Sequence, residues 1–219
     1  MSQGKETGRK RWTTDIIVNT GRKLFYQKGF SLTMRDLARE LGTRPSSLYR
    51  HVKNKRELWF AIINQDFELF NEEILRIAQS HRGNSQDLLR KIGHFFFEFA
   101  RQDFNRFRLM FLFEPPHSEK SSGPFEEACN LQSLEQMKIL VEQIIKEENL
   151  STNNSDYLTY AIISIVLGAV TINSPMNAYL LADQTMMDTT FDNFVIQLID
   201  SLILGLKNRD EESRKSILT

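Results

Sequence analysis

The sequence contains little cysteine, the residue that stabilises small secreted domains through disulfides and binds metals through thiolates. Its 219 residues include a single cysteine, Cys129, which excludes a disulfide framework and a thiolate metal cluster within one chain. With only five prolines and ten glycines, few positions interrupt regular structure. These shortages favour a reducing compartment and an all-α fold.

Long apolar runs and targeting signals are also scarce. The longest apolar run, residues 161–172, contains Ser164, Gly168 and Thr171 and is too short to span a bilayer. The first residues are polar and basic, without the apolar stretch of a secretory signal. We therefore expect a soluble, cytoplasmic protein that has no membrane partner.

The formal net charge of zero hides an asymmetry along the chain. Residues 1–58 contain 14 lysines and arginines against 5 aspartates and glutamates, a net charge of +9, whereas the remainder contains 14 against 23, or −9. A charge run alone often marks only a solvated face. A basic segment joined to an acidic remainder is, however, typical of a nucleic-acid reader on a regulatory body.

Two short helices and a tight turn are predicted within residues 33–55. Thr33 and Asp36 form an N-cap pair whose oxygens satisfy free N–H groups at a helix start. One apolar face follows at helical spacing: Leu37, Ala38 and Leu41. Gly42 then ends the first helix.

The second helix of the pair has an inward apolar side and an outward polar side. Thr43 is a possible cap, and Pro45 falls in the first turn, where its missing N–H does no harm. Leu48 and Val52 point inward. The outward residues are Arg44, Ser46, Ser47, Tyr49, Arg50 and His51. Such a face suits a major-groove reader, although the same pattern alone also fits a solvated helical hairpin.

The ordered residues and their gaps over residues 12–58 resemble the DNA-binding domain of the tetracycline-repressor (TetR) family of bacterial transcriptional regulators. The matching pieces are Leu24-Phe25, Gly29-Phe30, Thr33-Met34-Arg35, Leu37-Ala38-x-x-Leu41-Gly42, Ser47-Leu48-Tyr49-x-His51-Val52-x-Asn54-Lys55 and Glu57-Leu58. Gly21 departs from the pattern, because the family usually has alanine there. Arg44, Pro45 and Arg50 stand where family members vary.

This resemblance implies a homodimer that binds double-stranded DNA. Its two recognition helices would enter successive major grooves about 34–36 Å apart on a pseudo-palindromic operator. The expected phosphate contacts are Thr33, Tyr49 and Lys55. The expected base-facing residues are Arg35, Arg44, Ser46, Ser47, Arg50 and His51, with Pro45 beside them.

The remainder of the chain predicts a helical bundle. We expect a flexible basic tail over residues 1–11, a DNA-binding domain over 12–58, a ligand-binding and dimerisation domain over 59–210 that begins with a connecting helix at 59–80, and a tail over 211–219. The first tail either has no role or acts as an arm on phosphates or the minor groove. Helices are predicted over 14–28, 54–78, 88–113 as a pair, 125–149, 156–172 and 179–182, and from 189 or 190. The helix over 54–78 is expected to open with a capping box formed by Asn54 and Glu57.

The helical remainder supplies candidate ligand and dimer residues. Its phenylalanines are more often core than pocket, but some could line a cavity for a small apolar or aromatic ligand. The candidate pocket residues are Phe95, Phe96, Phe99, Phe107 and Phe111. In the family that the chain resembles, two apolar C-terminal helices form the dimer interface. The candidates here are Ile162, Ile165, Ala169, Phe194, Leu198 and Leu202.

Signals of catalysis and of cofactor binding are missing from the sequence. The four histidines lie on separate segments without metal-ligand spacing, and there is no glycine-rich phosphate loop or nucleophile elbow. We expect the protein to bind no metal and no cofactor and not to be an enzyme. The favoured function is a ligand-released repressor. Alternatives are a helix-turn-helix dimer that is controlled by a protein partner or is not ligand-controlled, and, remotely, a helical enzyme.

Overall fold

The computed structural model describes residues 13–118, 123–127, 132–150, 155–172 and 189–217, and all regular structure within these ranges is helical. Ten α-helices occur there: α1 Thr14–Lys28, α2 Met34–Glu40, α3 Pro45–Leu48, α4 Lys55–Ser80, α5 Ser85–Gln102, α6 Phe104–Phe111, α7 Pro124–Glu127, α8 Gln132–Glu147, α9 Ser155–Ile172 and α10 Thr189–Ile217. A 3₁₀ turn, Gly29–Ser31, follows α1. The predicted all-α fold is confirmed.

The chain forms two compact units. The head unit contains Met1–Glu68 and Arg108–Asn130, and the body unit contains Leu69–Phe107 and Leu131–Thr219. The predicted division at residue 58 therefore differs from the observed one, which falls within α4. It also missed the return of the chain to the head unit within α6, at Arg108, because that return depends on contacts between residues far apart in sequence.

A single hydrophobic core holds the first four helices of the head unit together. Ile17 and Val18 of α1 are completely buried, as are Leu37, Leu48 and Leu58 on the three following helices. The apolar spacing predicted for α1, α2 and α3 thus corresponds to one shared core. Full burial of each such side chain contributes about 1.5–3 kcal/mol to folding.

The glycine in the middle of α1 is required by close packing. A Cβ at Gly21 would lie 2.9 Å from Cδ1 of Leu58 on α4. Leu58 is fully buried and has little room to move. The departure from alanine at this position therefore permits the close approach of α1 and α4, at the usual cost of about 1 kcal/mol in helix propensity.

The predicted helix boundaries agree with the structure in part. The bounds of α1 are those predicted, and α4 ends two residues beyond the predicted end. Arg44 rather than Thr43 is the N-cap of α3, and its side chain makes no capping hydrogen bond. Helix α10 continues to Ile217, into the residues that were predicted as a C-terminal tail.

Two sequence predictions lie outside the described residues. These are the basic tail of residues 1–11 and the short helix predicted over 179–182. The helix predicted over 125–149 appears as α7 and α8, with residues 128–131 outside the described part.

Helix α5 is central to the body unit because it is tied to α10 along its length. Arg90 donates to Asp200 at 2.9 Å, and Arg101 donates to the buried carboxylate of Asp192 at 2.6 Å. Between these ion pairs, a Cβ at Gly93 would lie 2.4 Å from Cδ1 of Ile196. The two helices are therefore held at close range by packing and by charge-assisted hydrogen bonds.

Helix α9 contains the apolar run of residues 161–172 and begins six residues before it. It has 18 residues and is long and apolar enough to cross a membrane by length and composition alone. A core helix of a soluble protein passes the same test. Its buried residues include Leu158, Ile162 and Val166, which pack inside the body unit.

Candidate nucleic-acid interface

A complete capping box begins α2 and fixes the helix that precedes the recognition turn. The Thr33 hydroxyl accepts a hydrogen bond from the Asp36 N–H at 3.1 Å, and the Thr33 N–H donates to Asp36 Oδ2 at 3.0 Å. This confirms the predicted cap pair. It also means that the Thr33 hydroxyl, expected to contact phosphate, already takes part in the cap.

The Asp36 carboxylate is neutralised by neighbouring cations. Hydrogen bonds from Lys28 and from Thr33 hold the pKa of Asp36 well below its usual range. Lys28 lies 2.9 Å from the carboxylate, and Arg39 pairs with the same oxygen. An acidic group next to the recognition turn is therefore paired with cations and repels DNA less than a bare carboxylate would.

The short α3 presents the predicted polar face to solvent. Leu48 anchors it in the core, and the backbone continues as a turn in which the His51 N–H donates to the Leu48 carbonyl at 2.8 Å. The exposed residues among those predicted to contact DNA are Arg35, Arg44, Ser46, Tyr49 and Arg50; Pro45, Ser47 and His51 are half-buried. Exposed guanidinium groups suit bidentate binding to guanine O6 and N7.

Two of the predicted contact residues already have partners within the head unit. His51 Nδ1 lies 3.3 Å from the Thr14 hydroxyl on α1, so its ring is oriented by that helix. Lys55 Nζ donates to the Phe30 carbonyl at 2.7 Å. An ammonium group has three donors, so this bond positions the charge and still leaves donors for a phosphate.

The start of α4 contains a cluster that sequence reasoning missed. Asn54 caps the helix by accepting from the Glu57 N–H at 2.8 Å, as predicted. The Glu57 carboxylate does not complete the expected box and instead accepts from the Phe125 N–H at 2.7 Å. Arg56 pairs with Glu126 in the same segment. No local pattern could reveal these contacts, since the partners are about 70 positions apart in the sequence.

The aromatic residues predicted to form a ligand pocket pack mainly on one another. Within the body unit, Phe70 lies 5.2 Å from Phe95 and 5.0 Å from Phe99 between ring centroids, and Phe96 lies 5.3 Å from Phe107. Phe111 belongs to the head unit, where it contacts Phe67. Phe96 lines a small cavity of about 50 Å³ in the body unit. Close ring packing leaves little space at the other four candidates.

A larger apolar cavity lies between α4, α5 and α8 of the body unit. Its volume is about 210 Å³. The lining residues are Ile74, Leu75, Ala78, Leu88, Ile92, Ser133, Gln136, Met137, Ile139, Leu140 and Gln143. None of these carries a formal charge. The Gln136 Oε1 atom is shielded from solvent and has no hydrogen-bond donor in the part of the chain that the structure describes.

The C-terminal helices expose an apolar face in the body unit. Phe194 and Leu198 of α10 are 56% and 45% exposed, and Tyr157 of α9 is 75% exposed. Ile162, also predicted at the interface, is 2% exposed and packs inside its own chain. Ala169 is likewise buried, whereas Ile165 and Leu202 are half-buried. Ile162 and Ala169 are seven positions apart, about two helical turns, so both lie on the inner side of α9.

Potential metal ligands are dispersed in the described ranges. No group of three or more histidine, cysteine, aspartate or glutamate side chains there could hold a metal ion. His94 lies exposed on α5, and His81 Nε2 is 3.0 Å from the Asn84 carbonyl.

Comparisons with known proteins agree with this geometry. A family model described as bacterial regulatory proteins, tetR family, matches residues 17–62. An uncharacterized HTH-type transcriptional regulator of Haemophilus influenzae is 27% identical over 152 residues, which cover 67% of this chain and 70% of that protein. HTH-type regulators of Staphylococcus aureus are 32% identical over 69 residues, but only 37% of their length is covered.

Solved structures share the fold over most of the chain. A TetR-family transcriptional regulator from Bordetella parapertussis has a TM-score of 0.60 at 14% identity, covering 85% of this chain and 93% of that one. The fatty acid degradation regulator FadR from Bacillus halodurans has a TM-score of 0.63 at 14% identity, covering 91% and 96%. With its capped helix pair and exposed basic face, the chain is similar to helix-turn-helix transcriptional regulators, and its residues 17–62 match the tetR family model.

Proposed function

We propose that the protein is a ligand-released repressor that binds a pseudo-palindromic operator as a homodimer. The observation that carries the proposal is the exposed row of cationic and polar side chains from Arg44 to Arg50, mounted on a buried Leu48. As a transcriptional regulator it acts on DNA in the bacterial cytoplasm rather than as an enzyme. The operator-bound fraction would be associated with the nucleoid.

Different residues of the head unit would read the base sequence and bind the DNA phosphates. Arg44 and Arg50 are exposed and would read guanine in each half-site. Lys55, whose ammonium is positioned by the Phe30 carbonyl, would bind a phosphate and contribute little to sequence preference.

This division of roles predicts two distinct mutant phenotypes. Arg44→Ala should weaken binding to the preferred operator by about 1–3 kcal/mol and relax specificity at one position. Lys55→Ala should weaken binding to all duplexes alike and reduce the salt slope by about 1. Titrations of each variant on operator and scrambled duplexes, over a range of salt concentrations, measure both effects. An unchanged affinity and salt slope for Lys55→Ala would contradict its phosphate role.

Dimerisation would use the apolar face of α9 and α10. Exposed rings and leucines on these helices, including Tyr157, Phe194 and Leu198, would become buried against the same face of a second copy. A two-fold interface of this kind presents the two heads symmetrically, which explains why a palindromic operator is expected.

The regulatory ligand would bind in the uncharged cavity of the body unit. Its 210 Å³ exceed the roughly 150 Å³ that suffice to bind benzene in an engineered protein cavity. The unpartnered Gln136 Oε1 favours a neutral apolar molecule with one hydrogen-bond donor. The Bacillus halodurans neighbour is named as a regulator of fatty acid degradation, so aliphatic chains are the first class to test.

Release of DNA requires the ligand to distinguish two states of the protein. It must bind better to a state whose heads are wrongly spaced for the operator. A 100-fold loss of DNA affinity corresponds to a difference of about 2.7 kcal/mol in ligand binding between the two states.

Filling the cavity should separate ligand response from DNA binding. Ala78→Trp places an indole where the ligand would sit, whereas Gln79→Trp adds the same ring at an exposed neighbouring position. We expect Ala78→Trp to bind operator normally but to lose the ligand-induced thermal stabilisation, which is about 2.7 kcal/mol at 100 times Kd. Gln79→Trp should respond like wild type.

The probes are straight-chain alcohols and fatty acids of matched length, measured by thermal shift and by DNA release. Because the lining has no charge to pair with a carboxylate, the alcohols should bind at least about tenfold more tightly than the acids. If neither series stabilises the protein or releases DNA, control by a protein partner becomes the better explanation.

A further inference from the structure

We propose that residues 116–118 and 123–127 form a positioning strap that holds the first turns of α4 in the geometry required for DNA binding. This inference rests on the DNA-binding function but concerns residues outside the basic recognition face. The strap lies in the head unit together with that face. Its partners are Asn54, Arg56, Glu57 and Asn64, which all lie at or just after the start of α4.

An ion pair with several hydrogen bonds forms the centre of the strap. Arg56 Nε lies 3.0 Å from both carboxylate oxygens of Glu126, and Arg56 Nη1 donates to the Pro116 carbonyl at 3.2 Å. These hydrogen bonds lower the pKa of the Glu126 carboxyl. The guanidinium also lies 5.2 Å from the centre of the Phe60 ring. Arg56 is thus held by the strap and is not presented to DNA.

The second contact of the strap is with the buried carboxylate of Glu57. Glu57 is 2% exposed, and its carboxylate accepts from the Phe125 N–H at 2.7 Å. The backbone approaches so closely that a Cβ at Gly123 would lie 2.2 Å from Glu57 Oε2. A buried carboxylate that accepts no hydrogen bond destabilises the fold. The positions of Glu57 and of the strap backbone are therefore coupled.

Two asparagines extend the contact on either side. Asn54 Nδ2 donates to the Ser118 hydroxyl at 3.2 Å while Asn54 Oδ1 caps α4. Asn64 Nδ2 donates to the Phe125 carbonyl at 2.8 Å. The strap therefore holds α4 from its N-cap through more than two turns.

The location of these contacts connects the strap to DNA binding. Asn54 follows the recognition turn directly, and the next residue is the proposed phosphate ligand Lys55. Phosphate contacts set the register of a protein on DNA, and small displacements of the groups that make them weaken binding. Holding the first turns of α4 therefore keeps Lys55 and the adjoining recognition turn in register.

Charge reversal across the ion pair tests this role against a matched control. Glu126→Arg and Glu127→Arg change the net charge equally and lie in the same short helix, but the Glu127 side chain is exposed. The probe is a duplex enriched from a random pool by the wild-type protein. We expect Glu126→Arg to bind it about tenfold more weakly than Glu127→Arg does, with a salt slope lower by about 1.

The double variant distinguishes positioning from loss of folding. Arg56→Glu alone should also weaken binding, whereas Arg56→Glu combined with Glu126→Arg restores the pair, has the wild-type net charge and should bind within about threefold of wild type. Equal affinities of Glu126→Arg and Glu127→Arg would overturn the proposal. So would a folded double variant that bound as weakly as the single ones.

Hydrogen exchange in the wild-type protein provides a test that needs no DNA. The Phe125 amide should be protected as strongly as the amides of the first turns of α4, because it donates to the buried Glu57. Exchange of this amide at the rate of an open loop would overturn the strap even if all the variants failed to fold. Failure of the wild-type protein to enrich any duplex would instead contradict the proposed function.

Discussion

A Leu198→Glu variant is expected to be monomeric at micromolar concentration and to bind operator at least about 100-fold more weakly than wild type. Leu198 is 45% exposed on α10, next to the more exposed Phe194 on the same face. In the proposed dimer, a glutamate at this position would place an unpaired carboxylate in an apolar interface, which costs several kcal/mol. In a dimer, the second head binds its half-site at high effective concentration once the first head is bound. A monomer loses this gain in affinity.

The matched control for this prediction is Asn193→Glu. Asn193 is exposed on the same helix but lies about 140° away from Leu198 around its axis, at 100° per residue. The Asn193→Glu variant should remain dimeric and bind operator as wild type does. Light scattering gives the mass, and titration of full-length and half-site duplexes gives the affinity. A dimeric Leu198→Glu protein with unchanged affinity would rule out this face as the interface.

A Leu48→Ala variant is expected to lose about 2–5 kcal/mol of stability in the head unit and to bind specific and non-specific DNA poorly alike. Leu48 is fully buried and is the side chain through which the four-residue α3 is attached to the core. Truncation would leave a cavity beneath the recognition residues, and so short a helix has few other contacts to hold it. Circular dichroism and DNA titration at several temperatures would measure the two effects.

Leu48→Met controls for the size of the side chain. A change that conserves volume in a core usually costs less than about 1.5 kcal/mol, so this variant should keep most of its DNA affinity. If Leu48→Ala were as stable as Leu48→Met and bound DNA equally well, the attachment of α3 through this residue would be wrong.

Local sequence patterns predicted the first helices of the head unit because their signals lie within a few residues of one another. The Thr33 and Asp36 cap, the apolar spacing of α2 and the start of α4 at Asn54 all depend on neighbours three or four positions apart. Such short-range rules fix where helices begin and which side faces the core. The exposed row from Arg44 to Arg50 followed directly from that spacing.

Contacts between distant residues could not be predicted in this way. The reason for Gly21 is Leu58 on another helix, and the partner of Glu57 is the backbone of Phe125. The cavity is lined mainly by aliphatic residues of three helices, whereas the phenylalanine-rich segment that attracted attention in the sequence packs largely on itself. Aromatic content favours buried rings, but packing alone determines where space remains.

Selection of bound duplexes from a random DNA pool at physiological salt, with excess non-specific competitor, tests the central claim most directly. The enriched duplexes should contain two inverted half-sites, with centres separated by about 10–10.5 base pairs or a multiple of that spacing, and guanine within each half-site. Retention of duplexes without any enriched sequence, or enrichment of a single unrepeated site, would contradict the account.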